Sequence, residues 1–222
     1  MKKVKTLVYV DNFQLEGAAY SQFELTRWLR DNGILEPFVF AGHDGPVRKL
    51  YEEAGIPVSF SAFPDVLQKK GEKYEELLVE LCSQIARQEI KMVYANTSKA
   101  FPAVQAAAHC GIPSLWNIRD SEEGTEWPKQ YGERLAQELW SSFSVAGAVV
   151  FVADATQRLF EKWQTKENYY TIHNGLDRER LELNMSKWQR ERVRQSLGVA
   201  AEENLILSVG TVGERKGQLD LA

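Results

Sequence analysis

The sequence predicts an α/β protein, a Rossmann-like, doubly wound parallel sheet of about seven strands with helices on both faces. Three observations carry this. Short apolar runs such as Thr6–Val10, Ile90–Ala95 and Gly147–Val152 are too short for helices and are bounded by turn residues. Amphipathic stretches at helical spacing alternate with them. The connections are short, so successive strands cross over through helices and run parallel, covered on both faces.

Thr6–Val10 reads as a buried first strand, followed by a polar turn at Asp11-Asn12. Gly17 opens an amphipathic helix, with Phe23, Leu25, Trp28 and Leu29 as its apolar positions and Gly33 as its stop. The first-turn N–H groups of such a helix lack intrahelical partners and suit polar or anionic ligands. Leu35–Ala41 is strand two, and Gly42 to Pro46 is a turn by composition. Val47–Ala54 is a short helix closed by Gly55. Ile56–Phe60 is strand three, placed at a sheet edge by Pro57. Ser61–Gly71 is irregular.

Glu72–Glu89 is a long helix with Tyr74, Leu77, Leu78, Leu81 and Ile85 on one face. Strand four, Ile90–Ala95, leads into the polar turn and helix cap Asn96-Thr97-Ser98, then the alanine-rich helix Phe101–His109. Strand five is Pro113–Ile118, followed by a charged loop from Arg119 to Trp127. Pro128 starts a helix at the one turn where proline is tolerated, running to about Ser142. Gly147–Val152 is strand six, Asp154–Trp163 a helix and Tyr169–His173 strand seven, ending in the Asn174-Gly175 turn. Asp177–Gly198 is charged, and helical over Ser186–Leu197. Asn204–Gly210 reads as one more buried strand, leading into an incipient helix.

The 222 residues allow one large domain or one and a fraction, and 44% hydrophobic content supports a sizeable core. A net charge of -4 argues against bulk nucleic-acid binding. Cys82 and Cys110 fall on different predicted helices with no metal-ligand spacing, and read as reduced thiols of a cytoplasmic protein. No apolar run approaches the ~20 residues of a membrane span. Lys2, Lys3 and Lys5 precede a first strand, not a signal peptide, because Asp11 interrupts the apolar run. His43, His109 and His173 are too scattered for a metal site.

The domain reading is an N-terminal unit over 1–177, a linker or helix over 178–203, and the truncated start of a second domain over 204–222. A strand and one helical turn cannot fold as a domain. The chain is therefore expected to be a fragment cut just inside that second domain. The competing reading adds the strand at 205–209 to the first sheet.

The order Asn174-Gly175-Leu176-Asp177, a charged helix ending at Gly198, then Ile206–Gly210 followed by Arg215-Lys216-Gly217, resembles the retaining glycosyltransferases of group 1 (family 4), which have the GT-B fold. The first loop, strand four ending in Asn96-Thr97, and strand five after Gly111-Ile112-Pro113 resemble the family too. The resemblance implies the N-terminal, acceptor-binding half of an enzyme that moves a sugar from a sugar nucleotide to a carbohydrate or lipid-linked acceptor. Transfer would keep the anomeric configuration, with no metal and no cofactor beyond the donor. A peripheral membrane contact is compatible with such an acceptor.

The resemblance assigns roles residue by residue. Gly17, beside Glu16, would let the first loop approach a sugar or phosphate closely, and Asn96 would join them on the acceptor side. Arg119 and Asp120 stand where the family commonly carries a histidine and an acid, so they are the catalytic candidates. An arginine is no general base, though it binds phosphate or carboxylate well. Gly210, Arg215 and Lys216 would hold the donor diphosphate, with Asn174 lining the cleft near the hinge. Thr211 stands where the family commonly has an arginine. The isolated chain is expected to be inactive, because most donor contacts lie beyond Ala222.

These departures keep a second reading alive, a non-catalytic GT-B-like binding or assembly subunit. A third, an NAD-dependent oxidoreductase, is weaker, since it needs Gly-x-Gly-x-x-Gly after strand one and the first loop has only Gly17.

Overall fold

The computed structural model describes residues 3–120, 129, 131–176, 178–210, 212 and 217–221. Seven parallel strands form one sheet in the order β3-β2-β1-β4-β5-β6-β7. They are β1 (Val4–Asn12), β2 (Leu35–His43), β3 (Val58–Phe60), β4 (Met92–Asn96), β5 (Ser114–Ile118), β6 (Ala148–Phe151) and β7 (Tyr169–Thr171). The intervening helices are α1 (Gly17–Asp31), α2 (Arg48–Glu53), α3 (Tyr74–Arg87), α4 (Phe101–His109), α5 (Glu133–Val145) and α6 (Asp154–Phe160). The order reverses between β1 and β4, which are hydrogen-bonded neighbours with Thr6 opposite Met92. β3 is an edge strand, as expected from Pro57.

Alternation along β1 divides the core in two. Leu7 and Tyr9 join Val93, Ala95, Trp116 and Phe151 under α3, α4 and α5. Val8 and Val10 join Val39, Ala41 and Tyr94 under α1 and α2. A buried parallel strand is apolar on both faces for this reason. Aromatic contacts tighten both layers. Phe23 meets Tyr51 edge-on at 5.0 Å, and Trp116 lies 4.6 Å from Phe143.

Four expectations are corrected. In α1 the buried face is Ala19, Gln22, Phe23 and Thr26, while Leu25 and Trp28 are exposed. The contact of Phe23 with Tyr51 fixes the rotation of the helix and turns Leu25 and Trp28 outward. The helix expected from Pro128 is α5, which starts at Glu133 because Gly132, at φ 94°, cannot continue a helix. Pro128 itself lies outside the described residues. Among the described residues, no strand forms over 205–209, where Ile206, Leu207 and Val209 are exposed without ladder partners.

The chain divides into two compact units, Met1–Asn174 and Gly175–Ala222. The second contains α7 (Arg178–Ser186), α8 (Arg190–Ser196) and α9 (Gln218–Leu221). Helix thus begins at Arg178, earlier than the expected Ser186, and breaks before Arg190. Within this unit Arg194 closes the turn after α8 by donating to the carbonyls of Ala200 and Glu203.

Candidate functional site

The C-terminal ends of β1, β4 and β5 converge where the strand order reverses, the place where open α/β sheets bind ligands. A cavity of about 110 Å³ opens there, lined by Asp11, Asn12, Glu16, Ala18, Asn96, Thr97, Lys99 and Asp120 among others. Each strand supplies one part of it.

After β1 the chain is pinned before it reaches the cavity. Phe13 is fully buried and packs on Tyr51 and Phe60 at 5.5 and 5.8 Å. Its N–H donates to His43 O at 3.1 Å, and its carbonyl accepts Val47 N–H. Asn12 Oδ1 accepts the Gln14 N–H at 2.9 Å. Glu16 then sits at the N-cap of α1 in extended backbone, and its side chain makes no capping bond. Its carboxylate is exposed at the wall of the cavity. Gly17 is the first residue of the helix, and a Cβ there would meet no atom within 4 Å.

After β4 the chain turns sharply. Thr97 has φ 72° and ψ 162°, a conformation rare for a β-branched residue. Hydrogen bonds on both sides hold it. Thr97 N–H donates to Asn117 O at 2.8 Å, and the Trp116 indole N–H donates to Thr97 O at 2.8 Å. The helix that follows is not capped by Thr97. Asp120 reaches over from the end of β5, and its Oδ2 accepts the Ser98 N–H at 2.6 Å. A carboxylate at a helix N-terminus is favoured by charge and by hydrogen bonding together.

Arg119 acts as a strut. Its Nε donates to Asn96 Oδ1 at 3.0 Å and its Nη1 to Asn174 Oδ1 at 3.2 Å. Asn96 in turn donates from Nδ2 to Ala18 O at 3.2 Å, which links β4 to α1. Desolvation lowers the Arg119 pKa and raises that of Tyr94, whose hydroxyl lies 3.1 Å from the Asn117 amide.

The expected residues therefore separate. Glu16, Asn96 and Asp120 line the cavity, and Gly17 adjoins it. Arg119 and Asn174 are tied to one another and are not among its lining residues. Gly210 is exposed in the second unit, while Arg215 and Lys216 lie outside the described residues. Asp11, Asn12, Thr97 and Lys99 join the site without having been singled out. Asp11-Asn12 and Thr97 carried a signal, since both are polar turns after apolar strands. His43 and His173 are occupied by Asp65 Oδ1 at 3.0 Å and Val152 O at 3.2 Å. Among the described residues, no three His, Cys, Asp or Glu side chains converge to hold a metal ion.

A doubly wound parallel sheet with a polar cavity at its switch point is a Rossmann-like α/β domain. Residues 15–180 match the model of Glycosyltransferase Family 4, and the chain belongs to that family. Among solved structures, Anabaena Alr3699/HepE in complex with UDP is similar at 22% identity and TM-score 0.66, over 88% of this chain and 50% of that one. UDP-GlcNAc 2-epimerase from Neisseria meningitidis, bound to UDP-GlcNAc, is similar at 13% identity and TM-score 0.57, over 88% of this chain and 53% of that one. Acinetobacter baumannii MurG is similar at 14% identity and TM-score 0.51, over 79% and 46%. These likenesses show the fold, a Rossmann-like half of the GT-B kind. The chain spans about half the length of the structures it resembles. No curated protein sequence matches it. No helix among the described residues is long and apolar enough to cross a membrane.

Proposed function

We propose that this chain is the acceptor-binding side of an enzyme that transfers a sugar from a sugar nucleotide to a carbohydrate or lipid-linked acceptor, with retention and without metal. The observation that carries the reading is the cavity at the switch point, whose lining residues from Glu16 to Asp120 fall within the segment that matches the family. At about 110 Å³ it is smaller than the roughly 300 Å³ at which small-molecule sites usually begin. It suits one end of an acceptor, not a whole nucleotide.

Its lining sets the chemistry. Asp11, Glu16 and Asp120 oppose the single cation Lys99 among the residues that line it. Carboxylates accept hydrogen bonds from hydroxyls and repel phosphate. The end of the acceptor held there is accordingly a neutral, hydroxyl-bearing group. Glu16 and Asp11 receive its hydroxyls, Gly17 allows close approach, and Asn96 holds the floor in register through Ala18 and Arg119. Asp120 is the acid nearest to a catalytic role, and Arg119 supports the site from behind.

The donor would be held mainly by a second domain opening near residue 204, with Gly210, Arg215 and Lys216 at its diphosphate, and Asn174 near the hinge. The many exposed apolar side chains of the second unit, among them Ile206, Leu207 and Val209, agree with a segment that finishes folding against further chain. The test is sugar transfer by a full-length protein from a panel of sugar nucleotides, with the product's anomeric configuration read by NMR and chelator present in one arm. Neutral acceptors should outperform phosphorylated ones. Transfer by residues 1–222 alone would overturn the proposed division of labour. The rival reading, a non-catalytic binding subunit, draws on Arg119 standing in the family's histidine place. Acceptor binding without turnover in the full-length protein would favour it.

A further inference from the structure

Cys82 and Cys110 are distant in sequence and sit on different elements, yet the fold brings them to one carbonyl. Cys82 Sγ, on α3, lies 3.8 Å from Ala106 O. The same oxygen accepts the backbone N–H of Cys110, the C-cap of α4, at 3.0 Å. Both thiols are free, partly buried, and packed against the same core cluster. α3 and α4 pack against each other, and the Cys82 thiol is within hydrogen-bonding reach of the Cys110 thiol across that interface.

We propose that Cys82 and Cys110 are a thiol–disulfide pair, and that oxidation by a low-molecular-weight disulfide staples α3 to the C-terminal end of α4. The chemistry balances as two exchanges. The Cys110 thiolate attacks one sulfur of the oxidant, forming a mixed disulfide and releasing one thiolate. Cys82 then attacks Cys110 Sγ, its proton passes to solvent, and the second small thiolate leaves. One external disulfide becomes two external thiols, and two protein thiols become one disulfide.

Burial pushes the Cys82 thiol up to about 12, and the hydrogen bond and charge of Cys110 push in the same direction. Cys82 is thereby a poor first nucleophile and is assigned the resolving step. The closed loop would contain β4 and the strained turn at Thr97. α4 starts at Phe101, just past that turn. The staple would therefore brace the segment that carries Asn96, Thr97 and Lys99 into the cavity.

The experiment uses the full 222-residue chain, oxidised with glutathione disulfide under native conditions, alkylated and weighed without reduction. Expected is a monomer that has lost both alkylatable thiols and carries no glutathione. Its melting temperature should rise by roughly 5 °C and return on reduction. Cys82→Ser should trap a glutathione adduct on Cys110, and either Cys82→Ser or Cys110→Ser should abolish the rise. Each variant is compared with its own reduced form, so a folding defect does not imitate the result. Disulfide-linked dimers, a stable adduct on the wild-type chain, or two unreacted thiols would overturn the pairing. An intramolecular disulfide without a rise in melting temperature would overturn the bracing.

Discussion

Gly17 has no structural reason to lack a side chain. Its φ lies outside the left-handed region, and an added Cβ meets nothing within 4 Å. Gly17→Ala should therefore stabilise the protein by about 0.4–1 kcal/mol, because the unfolded chain loses freedom. It should also raise KM for the acceptor in the full-length protein. A lower melting temperature, or an unchanged acceptor KM, would count against a ligand-facing role. Gly42 is the contrast, since a Cβ there would sit 2.5 Å from Asp11 O. Arg119 carries a second prediction. Its fork serves Asn96 and Asn174 together, with its guanidinium partly out of water. The point charge of lysine cannot span both amides. Arg119→Lys should cost about 1–2 kcal/mol in urea unfolding and weaken acceptor binding through Asn96. That Gly17 and Asp120 fall beside the cavity was legible from their positions after strands. That Arg119 braces the site was not, because its partner Asn174 arrives from a chain segment after β7.

The turn between β4 and α4 concentrates strain and restraint in one element. Thr97 occupies a backbone region where a β-branched residue costs roughly 1–3 kcal/mol, and its Oγ1 is buried without a protein hydrogen-bond partner. Thr97→Gly removes both costs and adds about 0.5–1 kcal/mol of glycine entropy. The net expectation is a gain of about 1 kcal/mol in thermal unfolding, with acceptor affinity reduced as the turn loosens. The restraint comes from Trp116, fully buried, whose indole N–H holds Thr97 O. Trp116→Phe keeps most of the apolar contact with Phe143 but loses that bond, so it should cost about 1–2 kcal/mol. Combining it with Thr97→Gly should cost less than the sum, since both changes act on one peptide. Elements of this kind divide into readable and unreadable parts. Apolar runs bounded by polar turns marked the strands, because strands buried on both faces must be apolar throughout. The rotation of α1 escaped, since Leu25 and Trp28 outweigh Ala19 and Thr26 in apolar character while the contact with Tyr51 chooses the face. The run at 205–209 misled for a related reason. Strand composition needs a neighbouring strand, and the described residues supply none there.

At the scale of the molecule, alternation of strands and helices showed that the sheet is parallel, but it cannot rank the strands. The order, and with it the switch point between β1 and β4, is a product of tertiary packing, so the cavity was legible only as loops at one edge. The same packing seals phenols into both layers. Tyr9 and Tyr74 lie under the α3–α5 face, Tyr51 and Tyr94 under the α1–α2 face, each nearly inaccessible to water. Desolvation raises the pKa of all four, most strongly for Tyr9, Tyr51 and Tyr74. The sign of the linkage follows. Below the unfolded value of about 10, both states keep the phenol protonated and the full stability is present. Above it, the unfolded chain ionises while the folded chain does not, so stability falls as pH rises. Each sealed phenol contributes a slope approaching about 1.4 kcal/mol per pH unit. Urea midpoints measured from pH 8 to 11 should therefore stay level until near pH 10 and then drop steeply. Phenolate absorbance from these tyrosines should appear with loss of helical circular dichroism, not ahead of it. If the four phenols ionise near pH 10 while the helical signal persists, the helices do not seal the two faces of the sheet as described.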